Sequence, residues 1–248
     1  IRTELGRQVR EAFVAPPGSL LLSVDYSQIE LRVLAHVSQD KALLDSFARG
    51  EDIHRRTASE IFGVEPDLVS DEMRRAAKAI NFGIAYGLSA FGLAQRLDLP
   101  THETQAIIDR YFARYSGVRT WLDQTLADAR ENQVVRTLWG RRRRITDLGS
   151  NSITMRQAAE RAAVNMPIQG TAADLMKRAM IDLAHGLSRG GFKSKLLLQV
   201  HDELLLEVPE AELDAVKALA IRSMEGAAHF SVPLTVSVGV GRNWAEAH

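Results

Sequence analysis

Apolar positions along the chain follow two regimes. Short apolar runs and period-two alternation sit near both ends, and helical spacing fills the middle. The run "SLLLSV" (Ser19 to Val24) follows the turn sequence "APPGS" and predicts a buried strand. From Ser27 the spacing of Ile29, Val33 and Val37 predicts a helix. A long, mostly helical region follows from about Glu51 to Gln133, punctuated by Gly63, Pro66, Pro100 and Gly117. "VVRTLWGRRRRITDL" reads as extended, with a turn at Gly140. Arg156 to Gly186 predicts a helix interrupted near "MPIQG" by Pro167 and Gly170. "LLLQVHDELLLEV" (Leu196 to Val208) reads as a hairpin, and Ala211 to Met224 as an amphipathic helix. "PLTVSVGVG" alternates, with Leu234, Val236, Val238 and Val240 on one face. Strands near positions 20, 196, 204 and 236 around a helical middle predict an α+β fold. Its antiparallel sheet is assembled from both ends of the chain, with helices on one face and a large helical insertion.

Composition narrows the chemistry. With 248 residues, 46% of them hydrophobic, the chain is long enough for one large globular unit or two intimate lobes. It contains no cysteine, which removes disulfides and thiolate-bound zinc. No apolar run approaches the ~18 residues of a membrane span, and no targeting signal is visible. "HDEL" at Leu204 and the three residues before it is a retention signal only at a C-terminus. The opening "IRTELGRQVREAF" reads as part of a longer chain. Basic and acidic residues balance at 31 each, so any nucleic-acid contact must be argued from local charge.

Three constellations carry candidate chemistry, each with an ordinary structural alternative. In "SVDYSQIELR", Asp25 ends the first strand and Glu30 follows five residues later; Ser27-x-x-Glu30 also reads as a capping box. In "SDEMRRAAKAINFGIAYG", Ser70, Asp71 and Glu72 suit a helix start. Arg74, Lys78, Phe82 and Tyr86 then recur every four residues. Cations suit phosphate oxygens and the aromatics suit a base or sugar, but a solvated basic face leading into an aromatic core would look the same. Gly83 and Gly87 fit a place where something packs very close. The third constellation is the hairpin tip, His201, Asp202 and Glu203, which are also ordinary turn residues. If Asp25 and Asp202 converge at ~4 Å they repel by about 4 kcal/mol at an effective dielectric of 20. Such a pair is kept by protonating one member or by a hard, oxygen-ligated cation such as Mg²⁺ or Mn²⁺. Paired cations between carboxylates and phosphates suit in-line phosphoryl transfer.

Taken together, "VDYSQIELRVLAH", "RRAAKAINFGIAYG", "AERAAVNMPIQGTAAD" and "QVHDELLLEV" resemble the family A DNA polymerases, the bacterial DNA polymerase I type, in order and spacing over essentially the whole chain. The resemblance implies a right-hand fold lacking the thumb and N-terminal domains. Residues 1–50 would be the first part of the palm, 51–151 the fingers and 152–248 the second part of the palm. It implies DNA-templated DNA synthesis in replication or repair on primer-template DNA with dNTP, by a monomer away from the membrane, cytoplasmic and nucleoid-associated if bacterial. Asp25 and Asp202, with the Tyr26 carbonyl, would bind two Mg²⁺ ions, for which Mn²⁺ can substitute. Arg74, Lys78 and His54 would hold the triphosphate, and Lys78 would protonate the leaving pyrophosphate. Phe82 would stack on the nucleotide, while Tyr86 and Glu30 would guard the template position and exclude ribonucleotides. Arg161, Asn165 and Gln169 would touch the minor groove. His201 would lie near the primer end, with Glu203 a supporting acid. In "GRRRRITDL", Arg144 and Thr146 stand where the family often has an aromatic and a proline.

The spacing of Arg161, Asn165 and Gln169 independently suits one helical stripe, if the helix survives Pro167, and donors there match the minor-groove acceptors common to all base pairs. The run Arg141 to Arg144, with Arg136, is either a solvated loop or a sequence-independent phosphate contact in which Arg141 and Arg142 take part. Two rivals stand beside the polymerase reading. A single-subunit RNA polymerase shares the helix logic but not the purpose of Glu30. A non-catalytic nucleic-acid-binding palm module would not need both aspartates, Lys78 and Tyr86.

Overall fold

The computed structural model describes residues 4–248. They form two compact units. The first contains residues up to Ile29, Ala172–His229 and Leu234–His248; the second contains Glu30–Thr171 and Phe230–Pro233.

The first unit is built on a four-stranded antiparallel sheet in the order β4-β5-β1-β6. Its strands are β1 (Ser19–Tyr26), β4 (Lys195–Val200), β5 (Glu203–Pro209) and β6 (Val236–Gly241). The four strands are those that the apolar runs predict. β1 and β5 are central and apolar without alternation because both faces are covered. Leu22 pairs with Leu206 and Val24 with Leu204. The edge strand β4 is largely exposed and carries a register shift between Leu196 and Leu198, a device that blunts an edge.

One face, carrying Leu22, Val24 and Tyr26, packs on α10 (Leu213–Glu225); the Tyr26 hydroxyl donates to the Met224 carbonyl at 2.6 Å. The opposite face, carrying Leu21 and Leu205, packs on Trp244 and Ala247 of the short helix α11 (Trp244–Ala247). Gly239 and Gly241 permit that approach: a Cβ on Gly239 would lie 2.0 Å from the Ala247 carbonyl oxygen. A first helix, α1 (Glu4–Glu11), sends Arg10 toward the same region.

The second unit is helical. Its elements are α2 (Ile29–Ser38), α3 (Lys41–Ala48), α4 (Ile53–Phe62), α5 (Asp71–Ala85), α6 (Ala90–Leu97), α7 (Thr101–Arg114) and α8 (Ser116–Asn132). The hairpin β2 (Val134–Arg136) and β3 (Arg142–Arg144) follows, turning at Gly140 with φ 82°. The predicted breaks at Gly63, Pro66 and Pro100 are real; Gly63 caps α4 in the left-handed region. Gly117 is different. It lies inside α8, where a Cβ would come within 2.8 Å of the Asp40 backbone and where its amide donates to the Asp40 carboxylate.

Two local expectations are corrected. The helix α9 runs unbroken from Ile153 to Arg189, with Pro167 inside it. An interior proline costs a helix ~3 kcal/mol, but Ala163, Val164, Ile168 and Thr171 around it are almost wholly buried, and that packing offsets the cost so that the helix continues past the proline. Gly170 marks a close approach, with Thr137 Cγ2 2.7 Å from where a Cβ would be. The helix at the Ser27–Glu30 capping-box sequence does not start where such a box would place it. Gln28, the residue that would open the helix, has φ 55°, and the helix starts at Ile29 instead.

Candidate active site

In the first unit the sheet brings the acidic residues together. Asp25 is cross-strand from Glu203 and shares its face of the sheet. Asp202 lies next to Glu203 in the two-residue turn between β4 and β5, and its carbonyl accepts from the Tyr26 amide at 3.1 Å. The other turn residue, His201, has φ 55°, a left-handed conformation that costs a non-glycine residue about 1 kcal/mol or more. His201 is exposed, and its carbonyl accepts from the Gln199 side chain at 2.7 Å.

Asp25 Oδ1 is buried and has no hydrogen-bond partner. Burial, then the neighbouring charges of Asp202 and Glu203, push the Asp25 carboxyl up to about 6, with Arg10 opposing. Burial also raises Asp202. Glu203 is better satisfied: Ser23 Oγ and Trp244 Nε1 each donate to its Oε1 at 2.7 Å, with Arg10 at 3.7 Å and His248 at 3.4 Å from Oε2. An unpartnered buried carboxylate oxygen beside two further acids fits a divalent cation with oxygen ligands. Among the described residues no group of three or more metal-binding side chains converges. Two carboxylates and a backbone carbonyl leave coordination open for water or phosphate oxygens, as Mg²⁺ prefers.

In the second unit the α4 and α5 helices gather a cationic and aromatic cluster. Ser70 caps α5, and Asp71 and Glu72 occupy its first turn, as the sequence pattern predicts. Asp52 caps α4, accepting from the His54 and Arg55 amides, and its other oxygen accepts from Arg74 Nε at 2.6 Å. Burial opposes ionisation of Asp52, but the Arg74 and backbone hydrogen bonds outweigh it and hold its carboxyl below the usual range. His54 is buried, and its Nδ1 lies 3.1 Å from the Asn81 amide nitrogen. Burial, helped by the Arg74 and Lys78 charges and opposed by Asp52, lowers His54 to about 4, so it is neutral near pH 7. Lys78 is exposed. His54 lies 5.7 Å from Phe82, and Phe82 stacks at 5.9 Å on Tyr86, whose hydroxyl donates to the Glu30 carboxylate. What packs close at the two glycines is the chain itself: Leu88 and Leu93 on Gly83, and Val164 and Arg161 on Gly87, which has φ 67°.

Arg161, Asn165 and Gln169 share a continuous helical stripe, because α9 survives Pro167. Arg161 sits against Gly87, Gln169 is exposed, and Asn165 Oδ1 is buried without a hydrogen-bond partner. The basic run lies on the β2–β3 hairpin, with Arg141 and Arg142 exposed and Arg136 directly opposite Arg142. Like charges facing across a ladder are unfavourable, so the hairpin concentrates positive charge against its own preference. The pattern along the chain did not single out Asp52, Arg10 or Trp244. An Asp before a helix is read as a cap, and the other two reach Glu203 from opposite ends of the sequence.

A sheet presenting paired acids, with a helical unit carrying cations and aromatics, is the architecture of a polymerase domain. The structure superimposes with a TM-score of 0.96, at 48% identity, on the POL domain of Pol1 from M. smegmatis, solved in complex with DNA primer-template and dNTP. That match covers 100% of this chain and 44% of the other. The chain belongs to DNA polymerase family A, whose model matches residues 1–246. It is 53% identical to DNA polymerase I of Pseudomonas aeruginosa and 54% identical to the thermostable DNA polymerase I of Thermus filiformis, over its whole length. It spans 27% and 29% of those two relatives. No helix among the described residues is long and apolar enough to cross a membrane.

Proposed function

We propose that this chain is the catalytic core of a DNA-templated DNA polymerase acting on primer-template DNA and dNTP. The primer 3′-hydroxyl gives up its proton to solvent water as its oxygen forms a bond to the α-phosphorus, the bond from that phosphorus to the α,β-bridging oxygen breaks, and pyrophosphate leaves with that oxygen. The observation that carries the reading is Asp25 Oδ1, buried and unpartnered beside Asp202 and Glu203. Asp25, Asp202 and the Tyr26 carbonyl would hold two Mg²⁺ or Mn²⁺ ions. Bound there, divalent cations supply charge stabilisation for the attacking and leaving oxygens.

The protein's own residues bind and orient. Arg74 and Lys78 grip the triphosphate, and Lys78 gives a proton to the departing pyrophosphate. His54, neutral by virtue of its burial, offers a hydrogen bond rather than a charge. Phe82 stacks on the incoming base and Tyr86 guards the template position. The Tyr86–Glu30 hydrogen bond supports a gate at the sugar 2′ position, because it holds the Glu30 carboxylate rigidly; this favours a DNA over an RNA polymerase. Arg161, Asn165 and Gln169 contact minor-groove acceptors, His201 lies by the primer terminus, and Arg141 and Arg142 contact phosphates. Palm functions fall to 1–50 and 152–248 and fingers functions to 51–151. This division follows the chemistry, whereas the compact units follow packing.

The test is primer extension by Asp25→Asn and Asp202→Asn, each made with residues 1–248 in a chain of the curated relatives' length. Each should lose at least roughly 100-fold in rate, the scale of a lost transition-state charge partner. Retention of near-wild-type rate by either would sink its assignment.

A further inference from the structure

We infer that Asp52 is a positioning residue that sets the Arg74 guanidinium, and the turn bearing His54, for the incoming triphosphate. The inference rests on the triphosphate reading of Arg74. One carboxylate does two things at once. Its Oδ1 accepts from the His54 and Arg55 amides at 2.9 and 3.2 Å, which fixes the first turn of α4. Its Oδ2 accepts from Arg74 Nε at 2.6 Å, which ties that turn to the first turns of α5.

The division of the guanidinium is the decisive feature. A guanidinium is a planar fork with five N–H donors. Asp52 takes the Nε–H, and the η nitrogens make no hydrogen bond to any described residue. With its Nε edge held, the plane of the fork is fixed while the outer donors remain for phosphate oxygens. The Arg74 side chain keeps 37% of its exposure, so those donors are reachable. A long arginine held in one orientation loses less freedom on gripping an anion than one that must be ordered by it. The same carboxylate orders the backbone from which His54 projects, and Asn81 meets the His54 ring from α5. Two phosphate-facing side chains on different helices thus share one anchor.

An ion pair that only supports the fold would have the same distance, so the test separates the two roles. Asp52→Asn keeps a helix cap, because Asn caps as well as Asp, and Asp52→Ser keeps a cap with a side chain too short for Arg74. Steady-state primer extension is measured with residues 1–248 in a chain of the relatives' length, alongside thermal melting and primer-template affinity. Both variants should raise the dNTP KM about tenfold, the scale of one charge-assisted contact. Melting temperature and DNA affinity should hold, and kcat should fall by a smaller factor. In an Arg74→Ala background, Asp52→Asn should add nothing. Wild-type dNTP KM in both Asp52 variants, with a raised KM in Arg74→Ala, overturns the inference and leaves the triphosphate reading standing. A lowered melting temperature with KM and kcat changing in proportion marks Asp52 as a cap alone and also overturns it. An unchanged KM in Arg74→Ala removes the triphosphate reading itself.

Discussion

At the scale of single residues, the acid cluster sets function against stability. A carboxyl raised from 3.8 to about 6 makes the native state bind more protons than the unfolded chain between those values. Stability therefore falls as pH rises through that window and stays lower above it. Asp25→Asn should raise the melting temperature at pH 8 and lose most of that gain by pH 4, even though the proposed function expects it to slow primer extension. Melting curves at the two pH values check this, and a lower melting temperature for the variant at pH 8 would contradict it. A cation seated on the acids should oppose the same penalty. At a hundred times its Kd, Mg²⁺ or Mn²⁺ stabilises by about 2.7 kcal/mol; the resulting rise in melting temperature should vanish with EDTA and in Asp25→Asn. Glu30 belongs to this scale too. Glu30→Ala removes the acceptor of the Tyr86 hydroxyl and should raise ribonucleotide incorporation relative to deoxyribonucleotide, measured by paired primer extension. Equal discrimination in variant and wild type would remove the gate assignment.

At the scale of elements, glycine carries more of the architecture than its helix penalty suggests. Gly239 lies in β6 because the backbone of α11 passes over it, and α11 carries Trp244, a donor to Glu203. Gly239→Ala should destabilise the chain by at least about 1–3 kcal/mol, the cost of overpacking. It should also loosen α11, which urea unfolding together with hydrogen exchange at the amides of 244–247 would reveal. Unchanged protection there would mean that the close approach is dispensable. The helix α9 shows the reverse effect. Pro167 and Gly170 are strong local signals for a break, and burial of neighbouring positions overrules both. Local preference decides helix ends where nothing packs on them, as at Gly63, and loses where the flanking turns are fully buried.

At the scale of the whole molecule, equal numbers of basic and acidic residues mean that the proposed DNA binding would draw on local charge, with the β2–β3 hairpin the candidate. Replacing Arg141 and Arg142 by Gln should lower the slope of log affinity against log salt by about one per lost phosphate contact. Titrations of primer-template at several salt concentrations measure it, and an unchanged slope would return the hairpin to a solvated loop. Much of the fold is legible in the sequence alone. The strands near 20, 196, 204 and 236 follow from apolar runs bounded by turns, and the helical middle from its spacing, because these patterns report which face each segment must bury. The Arg74, Lys78, Phe82 and Tyr86 stripe is legible for the same reason, since one helical period places it. Residue chemistry and family motifs likewise name Asp25 and Asp202 as acids. Only the tertiary structure decided that Asp25 stands across a ladder from Glu203 with one oxygen unpartnered. It alone gave the Asp52 carboxylate a second partner on α5, and only through it does Glu203 gather Arg10, Ser23 and Trp244. Those relations join residues far apart along the chain. They depend on sheet register and on helix packing within each unit, where the free energy comes from burial summed over many side chains rather than from any local run.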